Sequence, residues 1–303
     1  MAVTGASHTR ERRRVRRGRY DWRHALWGYA FIAPSLAGCA ALAVVPFLDA
    51  VRRSLLDGLR GTFVGLRNYA SLLQNASFLQ AAFNTGRFIA LCVPVLMVLS
   101  LALALMLSRP VLGRSALRAA FLLPIAIPVA SVALLWQVLF HMNGLVNNLL
   151  EVLGMARIDW MRTDWSLGCL ILSYVWKNAG YNMVLFLAGL SGINPALYEA
   201  ASVDGAGAVR RFFAITLPCL RPTLFTVAVL SLLNTFKAYR EAWLVAGNYP
   251  QGSIYLLQHT LNNWFTALDL EKLSAAATVV SLIILGLVAL LNWAWASEAS
   301  LDG

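Results

Sequence analysis

Four stretches of this chain contain no Asp, Glu, Lys or Arg over 21 to 24 residues: Ala25 to Leu48, Phe88 to Ser108, Ala119 to Phe140 and Ser274 to Ala296. A helix of about 20 residues crosses a hydrocarbon core about 30 Å thick. Inside lipid every backbone polar group must be satisfied within the segment, which leaves helices or closed barrels, and uninterrupted apolar runs of this length select helices. Trp27, Tyr29, Trp136, Trp293 and Trp295 lie near the ends of the runs, where interfacial aromatics belong. Two further stretches complete the set: Ser166 to Leu190, interrupted by Lys177, and Pro222 to Val245, which holds Lys237, Arg240 and Glu241. Charge inside a span is tolerated when it is paired or faces a cavity. Lys237 and Glu241 stand four apart, on one helical face, and are expected to pair. The predicted fold is all-α, a polytopic membrane protein of about six transmembrane helices. Only 13% of the 303 residues are charged, against about 25% in soluble domains. The four cysteines, Cys39, Cys92, Cys169 and Cys219, stand singly beside apolar runs and read as small buried residues.

The net charge of +11 is concentrated at the start, where residues 1–24 carry eight arginines against Glu11 and Asp21. An Arg-rich arm attracts nucleic acid, but directly ahead of an apolar span it reads as a cytoplasmic anchor drawn to anionic lipid, and no nucleic-acid partner is expected. The run behind it is too long for a signal peptide and lacks a cleavage site. With this tail inside, 14 Lys and Arg fall on the cytoplasmic side and 10 outside. The segments 109–118, 191–221 and 297–303 then face the cytoplasm. Pro34, Pro46, Pro94, Pro124 and Pro128 fall within the spans. They mark either kinks around a path or the ordinary enrichment of proline in membrane helices.

Reactive chemistry is missing. None of the three lysines completes GxxxxGK[ST], the four histidines form no HExxH or Cys/His cluster, and no serine sits in GxSxG. No catalytic residue and no metal site is expected. A proton-driven carrier needs carboxylates within its spans, and Glu241 alone lies near one, with a local partner.

Segment 191–221 is the least passive connector. Asn194 before Pro195 is an N-cap with proline at the first helical position. Leu197, Tyr198 and Ala201 give that helix an apolar face, Gly205 and Gly207 turn it, and a second short helix runs through Val209, Phe212, Phe213 and Ile215 until Leu217 and Pro218 close it. Two amphipathic helices hinged at glycine either lie on the membrane surface or dock in a partner's groove.

Glu199, Ala200 and Ala201, then Gly205 after three residues, then Ile215, Leu217 and Pro218 after nine more, form the pattern EAA, G and IxLP. This resembles the EAA loop of bacterial ABC importer permeases, in the carbohydrate-uptake, maltose-type branch. Leu190, Ile193, Pro195, Leu197, Tyr198 and Asp204 around the motif are similar to that branch too. So are Ala33-Pro34, Pro46, GLRNYASLL from Gly65, Asn84-Thr85, LLPIAIP from Leu122, Trp136, Gly144 and Asn147. The resemblance covers about residues 25–295. Where the family often carries a TGGGP-like turn, this chain has Val245-Ala246-Gly247-Asn248-Tyr249-Pro250 followed by SIYLLQHTLNNWF, which looks like a subset of sugar permeases. The connection between spans three and four is short, with no inserted domain.

The resemblance implies a permease domain over 25–296, between a basic cytoplasmic tail (1–24) and a short cytoplasmic tail (297–303), in the inner membrane of a bacterium with its N-terminus inside. It implies that 191–221 is a coupling loop in which Glu199 meets a basic residue of an ATPase, Ala200 and Ala201 keep the docking face thin, Asp204 and Gly205 make the turn, and Ile215, Leu217 and Pro218 complete the motif. The implied partners are a second, related permease subunit, two ABC ATPase subunits that bind the ATP and Mg, and an extracytoplasmic solute-binding protein. This chain itself then carries no cofactor and is no enzyme. A sugar needs hydrogen-bonding groups and an aromatic face on its path, and the two most polar spans offer Trp176, Lys177, Asn178, Tyr181 and Asn182 on one and Asn234 and Tyr239 on the other. Alternatively, Lys177 snorkels and the asparagines join helices. The expected cargo is a sugar or oligosaccharide. The other readings are another solute such as glycerol phosphate, or an ATP-independent secondary transporter.

Overall fold

The computed structural model describes residues 22–58, 60–246, 250 and 252–299. The Arg-rich tail, the Gly247–Tyr249 turn and the side chains of Trp27, Lys237 and Trp295 lie outside that description. Among the described residues the chain is helical, with an isolated bridge between Leu56 and Phe63. Three helices are long and apolar enough to cross a membrane, or up to six if each of three bent pairs counts as one span.

The described residues fall into two compact units, one ending at Asp49 and the other beginning at Ala50. The first contains α1 (Trp22–Cys39), a π-helical turn at Ala40–Val44, and the start of α2 (Val45–Ser54). Pro46 has no N–H to return to Leu42, and the widened turn just before it absorbs the mismatch, with the Val45 N–H reaching back to the Ala40 carbonyl.

In the larger unit, α3 (Arg67–Leu73) leads into α4 (Ala76–Ser108), whose first turn is capped by Asn75 accepting from the Phe78 N–H at 2.9 Å. That cap starts the helix twelve residues before the charge-free window at Phe88, so α4 is a 33-residue rod that carries Arg87 and Pro94. It packs along α8 (Trp165–Ser191), with Phe88 edge-on to Tyr174 at 5.7 Å and the fully buried Met183 and Phe186 of α8 against Ala104 and Leu107. Between spans in lipid such contacts hold through close packing and interhelical hydrogen bonds, since lipid tails are as apolar as the side chains.

The third window departs most from its expectation. It is not one helix but α5 (Arg114–Ala126) and α6 (Val129–Leu139), bent 96° apart. Ile127, preceding Pro128, takes an extended conformation (φ −75°, ψ 129°), as the proline ring demands of its neighbour. α7 (Leu145–Val152) follows, and Asn147 is its buried anchor, donating to the His141 and Ile158 carbonyls and accepting from the Trp160 indole.

Beyond α8 lie α9 (Pro195–Val203), α10 (Ala208–Arg211), a second π-helical turn at Phe212–Thr216 and α11 (Leu217–Cys219). Leu217 and Pro218 therefore do not close the second loop helix. The π turn again comes just before the proline and lets the helix run on to Cys219, where it bends by 68° into α12 (Arg221–Thr235). A 3₁₀ turn at Phe236–Ala238 separates α12 from α13 (Tyr239–Ala246), so the 222–245 window is broken too. α14 (Leu257–Thr266) and α15 (Leu270–Ala299) complete the chain.

α14 buries His259 completely between the rings of Tyr239 (4.7 Å) and Tyr255 (5.6 Å), with Nδ1 accepting from the Leu256 N–H at 3.1 Å. Burial pushes its pKa down from 6.5 to about 4. Above pH 6.5 both folded and unfolded chains hold a neutral imidazole; between 6.5 and about 4 the unfolded chain takes up a proton that the folded one refuses. Stability should therefore fall as pH drops through that window. The thermal midpoint in detergent at pH 5 should lie below that at pH 7.5, and His259→Gln should flatten the difference; an unchanged slope in the variant would assign it to other groups.

Candidate functional site: a polar cavity at a helix break and a glycine-hinged loop

The break between α5 and α6 opens a cavity of about 380 Å³, with Ile125 and Val129 at its two lips. α8 contributes Tyr174, Lys177, Asn178 and Tyr181, and the α12–α13 segment contributes Asn234, Arg240 and Glu241. Lys177 and Glu241 are both buried and their charged atoms lie 3.3 Å apart. The pairing of Glu241 with Lys237, expected from their spacing, falls on a side chain outside the described residues; among those described, Glu241 meets Lys177, a lysine from another span. The second oxygen of Glu241 has no partner among the described protein atoms. It borders a small void of about 20 Å³ that Ser166 and Ser173 also line, large enough for one bridging water.

Four of the seven residues expected on a solute path, Lys177, Asn178, Tyr181 and Asn234, come together here. Asn178 also donates to the Tyr174 carbonyl at 2.8 Å. The other three do not line the cavity. Trp176 stands edge-on to Trp136 at 5.9 Å, Tyr239 packs on His259, and Asn182 donates to Ser231 Oγ at 2.8 Å, joining α8 to α12. Sequence reasoning missed Tyr174, Arg240 and the two lips of the helix break. The LLPIAIP run was the available signal for the lips.

The hinged loop is built from local rules. Asn194 accepts from the Ala196 N–H at 3.0 Å, and Pro195 opens α9. Asp204 is the C-cap, and Gly205 adopts φ +73°, a conformation side-chain-bearing residues rarely take. The inner face is latched by Tyr198 Oη to Thr216 Oγ1 (2.9 Å) and by Arg211 donating to Ser202 Oγ (2.9 Å). The outer face is open: Glu199 and Ala200 are exposed, Ala201 is half-buried, and Leu197, Val203, Val209 and Phe213 present apolar groups to the surface. Leu197, assigned to the apolar face with Tyr198 and Ala201, is thus on the exposed side. Ile215, Leu217 and Pro218, in the second arm, are half-buried. Among the described residues no group of three His, Cys, Asp or Glu could hold a metal ion.

Residues 96–295 match the family described as binding-protein-dependent transport system inner membrane component. The chain is 33% identical over 230 residues, 75% of each protein, to the sulfoquinovosyl glycerol transport system permease protein SmoG of Agrobacterium fabrum. It is 31% identical over 270 residues to the trehalose/maltose transport system permease protein MalF of Thermococcus litoralis, covering 87% of this chain and 92% of that one. It shares its fold with a chain of a bacterial ABC transporter involved in the import of the acidic polysaccharide alginate, with a TM-score of 0.80 at 24% identity over 91% of this chain and 97% of the other.

Proposed function

This chain belongs to the binding-protein-dependent transport system inner membrane components, and from that premise we propose that it is the permease subunit of an ATP-binding-cassette importer that moves a sugar or oligosaccharide through the cavity at the α5–α6 break. Permeases for sugars among its relatives support the cargo class. The observation that carries the coupling role is the loop itself: a latched inner face, an outward Glu199-Ala200 edge and a positive-φ glycine between the two arms. The partners are an extracytoplasmic binding protein, a second permease subunit and two ATPases that hold ATP and Mg. The chain sits in a bacterial inner membrane with its N-terminus and this loop in the cytoplasm, performs no catalysis and holds no cofactor of its own. One observation favours a solute with an anionic group, such as glycerol phosphate, over a neutral one: Arg240 joins the Lys177–Glu241 pair in lining the cavity and leaves it one positive charge in excess.

One charge-assisted contact is worth about 1.5 to 3 kcal/mol, roughly tenfold to a hundredfold in affinity. Glu199→Ala should leave the protein in the membrane, cut co-purification of the ATPase by that factor and lower uptake without changing which solute is taken. Undiminished ATPase capture would remove Glu199 from the interface, and uptake that survives without any ATPase would make the chain a secondary transporter. For orientation, a reporter active only outside the membrane should be silent when fused at Gly207 and active when fused near Asp159; the reverse pattern would invert the topology.

A further inference from the structure

A second cavity, of about 760 Å³, lies between the end of α4 and the latched inner face of the hinged loop. Its walls are of two kinds. Leu105, Leu190 and Phe212 are its apolar lining residues, while Arg109 and Arg211 are its cations, Arg211 with one guanidinium nitrogen already donating to Ser202 Oγ. The hydroxyls of Tyr198 and Thr216, already bonded to each other, complete the polar side. α4 ends at Ser108 and α8 at Ser191, so the cavity stands where two spans leave the membrane. Glu199 and Ala200 take no part in lining it, which separates it from the docking edge.

Guanidinium forks fit phosphate oxygens two at a time, and two of them at one cavity select a phosphate ester over a neutral headgroup. A free phosphate would need only the polar wall. The apolar residues match the rest of a lipid, and basic pockets between helix ends are where acidic headgroups lodge. We propose that this cavity binds one anionic phospholipid, its phosphodiester on Arg109 and Arg211 and the top of its acyl chain along Leu105, Leu190 and Phe212. Because Arg109 ends α4 and Arg211 belongs to the loop, the lipid ties the loop to the long span. This site is independent of the solute cavity and of what the importer carries.

The test uses the full-length chain in nanodiscs of phosphatidylcholine with or without phosphatidylglycerol, followed by native mass spectrometry of the lipid retained. Wild type should hold one phosphatidylglycerol more than Arg109→Gln/Arg211→Gln. The affinity of that variant should fall about thirtyfold, from about 1 kcal/mol per basic residue. Arg109→Lys/Arg211→Lys, which keeps the charges and loses the forks, should fall between the two. Lipid bound by the basic tail cancels in the comparison, because the tail is the same in every variant. Equal retention by wild type and the Gln variant would overturn the site. So would a Lys variant that loses as much lipid as the Gln variant and melts earlier, since the arginines would then be structural. Binding of inorganic phosphate alone, lost in the Gln variant and displacing the lipid at millimolar concentration, would show a free-anion site and overturn the lipid.

Discussion

Gly180→Leu is expected to abolish folded protein, while Gly168→Leu on the same helix leaves it intact. A Cβ placed on Gly180 falls on the backbone carbonyl of Phe121 and 3.1 Å from the Leu122 amide nitrogen, whereas nothing lies within 4 Å of one placed on Gly168. Side chains can rotate away from an intruder, but the backbone of α5 cannot. Overpacking against side chains costs about 1 to 3 kcal/mol. Displacing a helix axis exceeds that, and a loss above about 4 kcal/mol exhausts much of what a marginally stable protein holds. Gly180→Ala should already lower the thermal midpoint in detergent and broaden the size-exclusion peak. Should Gly180→Leu express, elute and melt like the Gly168 variant, the close approach of α5 to α8 is not as described.

Lys177→Met should be the most damaging change in the cavity that leaves backbone packing alone. It strands the Glu241 carboxylate, which is buried and has lost its cation, and breaking such a pair by removing one partner costs about 3 to 5 kcal/mol. Glu241→Leu should do comparable harm by stranding Lys177. Lys177→Met/Glu241→Leu should recover most of the stability, because a buried pair replaced by apolar groups of similar size is often neutral. Uptake separates structure from use: if the proposed path is right, the double variant, though stable, should transport poorly, since both residues line the polar cavity. Single variants as stable as wild type would mean that the two charges are solvated and unpaired. Full uptake by the double variant would take the pair out of the solute path.

What was legible in the sequence was whatever is decided within one turn or one hydrophobic run. Four of the six apolar windows declared themselves by missing charge, and the hinged loop by a cap, a proline and a glycine at fixed offsets, because Asn194, Pro195 and Gly205 act on their own backbone. What distant packing decides stayed hidden. Pro94 and Pro128 look alike in sequence, yet α4 runs straight through Pro94 while the chain breaks at Pro128. Cys92 and Leu96 are buried on either side of Pro94, and α4 is held along α8. Ahead of Pro128, α8 instead meets the backbone of α5 at Gly180, against Phe121 and Leu122. Lys177 and Glu241 are 64 residues apart, so no spacing rule could pair them.

The broken third span also says something about how the protein is made. α5 has 13 residues and α6 has 11, roughly 20 and 16 Å of helix, and neither reaches across a bilayer alone. Straight or bent, the segment alone would show open peptide groups to lipid, because Pro124 and Pro128 have no N–H for the carbonyls four residues before them. The neighbours that cover the corner come from later in the chain: α8 and the α12–α13 segment supply the other walls of the cavity. The polar cavity is therefore a product of assembly, absent from the isolated segment and created when later parts of the same polypeptide fold against it.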